Sequence, residues 1–302
     1  MTRTLPAECS LRRTQPCIFA RLQEKDIHLR FIDQALARRF ESAEEIPQVE
    51  YARLYRELRP DIGAAFAPIC GGHMIFAGLN SPIGHAAGMG FDGPVQGADL
   101  DRLEAFYRSH GAPAQLDICP LSDPSLLELV KTRGYTIAEM NDVLYRPLAN
   151  VEDCECPPGG QIQSGRNEDA LRFAQIVTRS FFPKKDEPAG FAEMLAPMFQ
   201  CGRTLTFFAK VGDKPVAAAA GMAIPEHGIF ALFGAGTLPE FRRRGLQTDL
   251  LKTRLQLAAR LGCDFAVVVT QGGSASERNC LRVGFRVAYS KATVLKTFQP
   301  HT

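Results

Sequence analysis

Strand and helix periods alternate along the second half of this chain. Residues 204–211 and 215–223 flank a Gly-Asp-Lys turn, which predicts a hairpin, and 229–237 follow as a third antiparallel strand. Leucines and alanines in residues 246–261 recur at helical spacing and predict a helix with one apolar stripe. The apolar run 265–270 is typical of a strand buried on both faces of a sheet.

Shorter elements begin and end the same half. Residues 161–164 are predicted as a strand, and Asn167 or Asp169 is expected to cap the helix that follows. Near the end of the chain, Ser276 is expected to cap a short helix through Arg282. Residue 285 is expected to begin a last strand that reaches about residue 296.

The first half repeats the ending of this plan at an offset of about 150 residues. Its segment 129–146 parallels the Gly-Phe segment and last strand at 280–296, so the two halves are predicted to share a fold. Upstream of the repeat, strands are predicted at 73–79, 86–91 and 115–118, and a helix at 98–107.

The proline- and glycine-rich stretch 149–160 has neither hydrophobic period and is predicted as a linker. We therefore expect a loose N-terminal segment at 1–22 and two domains at 23–148 and 161–302. Each domain is expected to be an α/β (α+β) unit, a mixed and mostly antiparallel sheet flanked by helices.

Composition limits the possible functions of the chain. With 35 basic and 33 acidic residues, the net charge of +2 gives no general reason to expect nucleic acid or membrane as partner. The nine cysteines are odd in number and scattered, which favours a reducing, cytoplasmic setting. Cys154 and Cys156 form the one close pair, and without a nearby histidine they predict no metal site. No signal peptide or membrane-spanning run is recognisable.

The loop at 239–247, between a predicted strand and a long helix, carries three consecutive arginines. Side-chain cations, backbone N–H groups and the positive end of a helix dipole together make an anion site. Three adjacent arginines on a loop are by themselves more typical of a solvated surface. The strand before them, the helix after them and the later Gly-Phe strand occur in an order that favours the anion site.

This order resembles the GNAT superfamily of N-acetyltransferases, whose shared loop reads Arg/Gln-x-x-Gly-x-Gly/Ala. Arg242 and Gly245 match it, while Gln247 replaces the final small residue. The resemblance covers about 161–297 and extends more weakly over 25–148, so it looks like a tandem arrangement with a degenerate N-terminal copy.

The resemblance implies acetyl-coenzyme A as co-substrate. It implies that the arginine loop receives the pyrophosphate, and that a bulged strand and a polar side chain of the later helix meet the pantetheine arm. Gly234 and Gly236 would ease the bulge, although they are equally typical of close packing. The expected cofactor contacts are Ala235, Thr237, Arg242, Arg243, Arg244, Gly245, Leu246, Gln247, Thr248 and Asn279.

In this chemistry an amine attacks the thioester directly, so a base and an acid are needed but no covalent intermediate. Cys280 stands where the family often has its tyrosine acid, and Tyr289 is a second candidate. A structural role is the more common reading of each. No base is evident, because the strand 229–237 has no carboxylate; a water chain or a residue of the first half could serve.

The first half is not expected to bind the coenzyme. Its stretch 92–101, at the place of the arginine loop, carries three aspartates and no cation, which would complement a helix N-terminus and repel a pyrophosphate. His73, Asn80 and His85 lie near the predicted strands and are interpreted as satisfied polar groups rather than ligands.

The leading hypothesis is therefore acetyl transfer to a primary amine, with a small metabolite as the expected partner. A longer acyl donor is an open alternative. A non-catalytic acyl-coenzyme A binding or regulatory protein is another, since the tyrosine and the strand carboxylate are missing. Nucleic-acid binding through three arginines in a near-neutral protein has the least support. The oligomeric state is not predicted.

Overall fold

The computed structural model describes residues 31–79, 81, 83–149, 151, 161–182 and 188–298. The predicted lead-in at 1–22, Asn80, and the linker apart from 149 and 151 lie outside these residues. The helices are α1 (Gln34–Leu58), α2 (Gly97–Ser109), α3 (Pro124–Thr132), α4 (Ala170–Phe181), α5 (Phe191–Leu195), α6 (Leu246–Arg260) and α7 (Ala275–Arg282). The strands are β1 (Ala65–Ile69), β2 (Gly72–Phe76), β3 (Ala114–Ile118), β4 (Thr136–Pro147), β5 (Ile162–Ser164), β6 (Thr204–Val211), β7 (Lys214–Ile224), β8 (Ile229–Thr237), β9 (Phe265–Gln271) and β10 (Arg286–Lys296).

Eight of these strands form one mixed sheet in the order β3-β10-β4-β9-β8-β7-β6-β5, and β1 and β2 form a separate hairpin. The pair β8–β9 is parallel, and the other pairs in the large sheet are antiparallel. The hairpin of β6 and β7, the third strand β8 and the long helix α6 follow the predicted pattern. The expected α/β class, with a mixed and mostly antiparallel sheet, is confirmed.

Strands of the two halves interleave in this sheet. β4, from the first half, pairs with β9 on one side and β10 on the other, and β3 pairs with the outer edge of β10. The described residues from Asp33 onward pack as one compact unit. The domain bounds 23–148 and 161–302 stay a prediction, but the two segments share one sheet, whereas the repeat predicts a sheet in each.

Helices cover both faces of the sheet. Phe40 of α1 stacks on Tyr145 and meets the edge of Phe265. The neighbouring Ala266 packs with Leu251 and Leu255 of α6 in a different core cluster. Because successive strand residues point to opposite faces, α1 lies on one face of the sheet, and α6 with α7 on the other.

A bulge interrupts β8. Ala218 of β7 pairs with Gly236 and Ala220 pairs with Phe233, so one residue of β7 faces two of β8. Gly234 takes a left-handed φ of 55° there, which glycine adopts without steric penalty. The extra residue changes which side chains face α6, and it brings those of Ala235 and Thr237 to the α6 side.

Two local predictions need correction, and one helix was missed. Residues 86–91 form no strand; Ala86 and Ala87 make single bridges, and glycine turns follow. The cap of α7 is Ser274, whose hydroxyl accepts from Glu277 N at 3.1 Å, and not Ser276. The long helix α1 was not predicted, because it buries polar residues such as Gln48 and contains Pro47, which weakens its hydrophobic period.

Candidate active site

A cavity of about 950 Å³ opens where β8 and β9 separate. The two strands pair only from Ile229 with Phe265 to Leu232 with Val268. Their diverging ends line the cavity, together with α6 and α7 on one face of the sheet and α1 on the other. The cavity therefore passes through the sheet and links its two faces.

The ten predicted coenzyme contacts all line this one cavity. α6 begins here at Leu246, with Gly245 at its N-cap position in a left-handed conformation and no side chain capping it. The N–H groups of the first helical turn have no helical acceptor, and the helix dipole places partial positive charge at the same end. This end of the cavity is therefore built to receive an anion.

The three arginines of the loop are not equivalent. Arg242 donates from Nη2 to Ser180 O at 2.7 Å and from Nε to Thr237 O at 3.2 Å, so its side chain fastens the loop to α4 and β8. Arg244 lies over the ring of Phe241, 5.2 Å from its centroid. Arg243 has a φ of 62°, which is uncommon for a residue with a side chain. The second and third arginines are thus the side chains best placed to meet a ligand.

Gln247, which departs from the family loop, has a structural role in this chain. Its Nε2 donates to Gly236 O at 2.8 Å and to Thr237 Oγ1 at 2.9 Å. These bonds tie the first turn of α6 to β8 just beyond the bulge. A small residue would leave that carbonyl and hydroxyl without this donor, so the replacement keeps the loop and the strand in register.

Asn279 and Cys280 reach the cavity from α7. Asn279 accepts from Arg282 Nη1 at 3.1 Å through Oδ1, which leaves its amide N–H groups to face a ligand. Cys280 is 2% exposed, and burial raises the pKa of its thiol to about 11. A thiol with that pKa is a weaker acid than an ordinary cysteine at about 8.5, so its environment works against the predicted role as acid.

Tyr289 lies outside the residues that line the cavity. Its hydroxyl donates to Glu41 Oε1 at 2.7 Å within the packing between α1 and β10. Burial first, and the Glu41 carboxylate second, raise the pKa of the phenol well above its usual range. The candidate role of Tyr289 as general acid is therefore corrected: the geometry makes it a buried donor to Glu41.

The opposite wall of the cavity was not predicted from the sequence. Ala43, Glu44, Pro47 and Gln48 of α1 line it, together with His85. Because Ala43, Glu44, Pro47 and Gln48 recur at helical spacing on one side of α1, a helical reading of residues 34–58 would have grouped them. The bond of His85 to Asp117 agrees with its prediction as a satisfied polar group, but His85 also faces the cavity.

A buried charge cluster stands behind this wall. Lys291 Nζ lies 2.8 Å from Asp117 Oδ2, 3.1 Å from Glu41 Oε2 and 2.5 Å from Glu44 Oε2. His85 Nε2 lies 3.1 Å from Asp117 Oδ2 and 3.9 Å from Glu44 Oε1. Burial favours a lower pKa for His85, but Asp117 and then Glu44 outweigh it and raise the pKa to about 9.

Ligand atoms of Glu44, His85 and Asp117 lie within 4.8 Å of one another, a spacing that suits a metal ion. Lys291 Nζ already takes the cation position between the two carboxylates. His85, with its raised pKa, carries a proton where a metal ligand needs a lone pair. The donor set therefore fits a buried ion-pair network better than a metal site.

Residues 171–285 match the family model of the Acetyltransferase (GNAT) family, a stretch that runs from α4 to the end of the Gly-Phe pair after α7. A search of curated proteins gave no match. No helix among the described residues combines the length and the apolar character needed to cross a membrane.

Solved structures resemble the fold over most of the chain. A GCN5-related N-acetyltransferase from Kribbella flavida superposes with a TM-score of 0.57 at 17% identity, over 84% of this chain and 96% of that one. A functionally unknown conserved protein from Staphylococcus epidermidis gives 0.55 at 13% identity, over 80% and 96%. A tandem GNAT protein from the clavulanic acid biosynthesis pathway gives 0.50 at 11% identity, over 66% and 68%.

Proposed function

We propose that this chain is an acetyltransferase that moves an acetyl group from acetyl-coenzyme A to a primary amine. The observation that carries the proposal is a cavity that joins an anion-binding helix N-terminus on one face of the sheet to a polar wall on the other. The family match over 171–285 and the shared fold support the donor chemistry. The acceptor is proposed to be a small molecule, which a cavity of about 950 Å³ accommodates.

In this proposal the first turn of α6, with Arg243 and Arg244, binds the pyrophosphate. The pantetheine arm runs along β8 at Ala235 and Thr237 and passes Asn279 of α7. Coenzyme A supplies a thioester that an amine can attack and a thiolate that can leave. The bulge in β8 and the end of its pairing with β9 leave the gap through which the thioester meets the acceptor.

The acceptor amine attacks the thioester carbonyl in one ternary complex, with no acyl-enzyme. Positioning of both reactants in one site supplies a large part of the rate. The departing thiolate takes a proton from the nitrogen of the tetrahedral intermediate. This route requires no proton from Cys280, whose buried thiol has a pKa of about 11.

The proposal also includes the tandem arrangement and the cytoplasmic setting. The tandem arrangement with a degenerate first copy is supported by the capping of α2, where Asp99 accepts from Gln96 N at 2.9 Å and so occupies the helix N-terminus. The cytoplasmic setting stays a prediction. A non-catalytic acyl-coenzyme A binding protein would use the same donor site and differ only in lacking turnover.

Calorimetric titration of acetyl-coenzyme A into the wild type and into Arg243→Ala/Arg244→Ala tests the donor site. Arg242 is left intact because it fastens the loop. The double variant is expected to bind at least tenfold more weakly, which corresponds to about 1.4 kcal/mol. Lys252→Ala/Arg260→Ala removes two charges from the same helix away from the cavity, and it is expected to bind as the wild type does. No binding by the folded wild type would reject the proposal, and binding without turnover of any amine would favour the non-catalytic alternative.

A further inference from the structure

A transferase that acts on amines needs a group to receive the ammonium form, in which most primary amines exist at neutral pH. Among the described residues that line the cavity, Glu44 is the single carboxylate. It lies on α1, on the face of the sheet opposite α6 and α7. The proposed donor enters from the α6 side, so Glu44 stands where an acceptor would approach the thioester.

Two features orient Glu44 toward such a ligand. Its Oε2 is buried, has no hydrogen-bond partner and forms an ion pair with Lys291 Nζ at 2.5 Å. Its Oε1 lies 3.9 Å from His85 Nε2, beyond hydrogen-bond distance, and is left to meet a ligand. Its side chain keeps 25% exposure, whereas those of Asp117 and Lys291 keep only 1%. Glu44 is therefore the carboxylate of the cluster that the cavity can reach.

The helix supplies a second acceptor beside this carboxylate. Pro47 has no N–H, so the carbonyl of Ala43 lacks its usual helical donor. Ala43, Glu44 and Pro47 all line the cavity. An ammonium group has three donors to place, and a carboxylate oxygen next to a released carbonyl is suited to two of them.

The charge of the cluster also leaves room for one more cation. Three carboxyl groups, on Glu41, Glu44 and Asp117, face two cations, Lys291 and His85. Burial first raises the pKa of the Glu41 carboxyl, while Lys291 lowers it and Asp117 raises it further. Because burial is the largest cause of that direction, the room for a further cation follows from the three carboxyl groups and two cations and not from this pKa.

We propose that Glu44 binds the ammonium group of the acceptor and serves as the general base for its acetylation. The inference rests on the proposed function, which it deepens by naming the acceptor as a cationic primary amine. Glu44 takes one proton from the ammonium, and the freed lone pair forms the C–N bond. The C–S bond then breaks, the second proton of the nitrogen leaves with the thiolate as coenzyme A thiol, and Glu44 releases its proton to water.

The test compares two nucleophiles in the wild type, in Glu44→Gln and in Glu57→Gln. n-Butylamine is an ammonium ion at neutral pH and needs a base, whereas methoxyamine is already neutral and does not. Release of coenzyme A thiol is measured with each. Glu44→Gln is expected to lose at least about 100-fold in kcat/KM with butylamine, the low end of general-base contributions, and to stay within a few-fold with methoxyamine. Glu57→Gln, an exposed charge change on the same helix, is expected to match the wild type.

Calorimetric affinity for acetyl-coenzyme A, measured on all three proteins, separates the possible failures. An unchanged Kd shows that Glu44→Gln is folded with an intact donor site. Equal rates for Glu44→Gln and the wild type with butylamine would overturn the inference, and so would equal losses with both nucleophiles, which indicate a structural role. A wild type that binds acetyl-coenzyme A but acetylates neither nucleophile would contradict the proposed function, and the assignment of Glu44 with it.

Discussion

His85 holds a proton because of the residues around it. Asp117 lies 3.1 Å from its Nε2 and Glu44 lies 3.9 Å away, while Gln48 Nε2 lies 3.3 Å away and Lys291 adds a second cation to the cluster. The two carboxylates outweigh both the burial of the ring and the lysine. The same pairing lowers the pKa of Asp117 against its burial, through His85 first and Lys291 next.

Because His85 is protonated in the folded protein, the free energy of unfolding is expected to fall as the pH rises. The pKa of His85 is about 9 in the folded protein, against 6.5 as the ordinary value. Between these two values the folded state binds a proton that the unfolded state does not, so the contribution is complete below pH 6.5 and lost as the pH rises through 9. The free energy of unfolding, from urea titrations across this window, is expected to fall by on the order of 1–3 kcal/mol.

His85→Asn should flatten that decline, because it removes the group that titrates. His227→Asn, at a histidine outside the cluster, controls for the loss of an imidazole and should keep the slope of the wild type. A decline of the same size in His85→Asn and in the wild type would mean that another group carries it.

Some functional residues could be predicted from the sequence, and others could not. Gly245 and the arginines are adjacent in sequence and follow a strand, so a local pattern was enough to predict an anion site. Glu44 lies on α1, His85 in the loop after β2 and Lys291 on β10, far apart in sequence, and only the packing of α1 against the sheet brings them together. No local period carries that information, which is why no base was predicted.

At the scale of elements, the bulge in β8 organises the cavity. It changes the face to which Ala235 and Thr237 point, and it lies at the level where β8 and β9 stop pairing. The bulge requires a glycine at position 234 for two reasons. The φ of Gly234 is 55°, and a Cβ at this position would lie 2.8 Å from Phe199 Cε1.

Gly234→Ala therefore introduces both backbone strain and a clash with Phe199. Gly212→Ala is the matched control, since Gly212 has a φ of 59° and nothing lies within 4 Å of the place that a Cβ would take. We expect Gly212→Ala to lose about 1 kcal/mol of unfolding free energy and Gly234→Ala roughly 2–4 kcal/mol. Urea unfolding measures both. Acetyl-coenzyme A should bind more weakly to Gly234→Ala alone, and equal effects in the two variants would show that Phe199 yields without loss.

The elements of the second half were predictable because their periods are regular and their turns carry glycine. The stretch at 86–91 was apolar enough to suggest a strand, but Gly88 and Gly90 turn the chain with positive φ after two bridging residues. α1 escaped detection because its buried face includes Glu41 and Gln48, which belong to the polar wall and the charge cluster behind it. A helix whose buried face contains polar residues lacks the apolar periodicity from which helices are predicted in a sequence.

At the scale of the whole molecule, the position of β4 decides how the chain holds together. β4 comes from the first half, yet it separates β9 from β10 of the second half. Without β3 and β4, β10 loses both of its neighbours and β9 loses one. Such unpaired edges leave backbone N–H and C=O groups without partners and expose apolar side chains. Strand order depends on contacts between residues that are far apart in the sequence. The repeat in the sequence therefore predicted a sheet in each half, whereas strands of both halves interleave in one large sheet.

The last prediction follows from this order. The fragment 150–302, expressed alone, is expected to lack a cooperative unfolding transition in circular dichroism and to bind no acetyl-coenzyme A, although it contains the whole arginine loop. Co-expression with 1–149 should restore both properties. A protease site placed within residues 152–160 of the full chain supplies the control: after cleavage, the two pieces are expected to elute together and to keep the affinity of the uncut protein, because β4 pairs on both sides. A fragment 150–302 that unfolds cooperatively and binds acetyl-coenzyme A with the Kd of the full chain would instead establish the predicted domain bounds, and would mean that β9 and β10 pair with each other when β4 is removed.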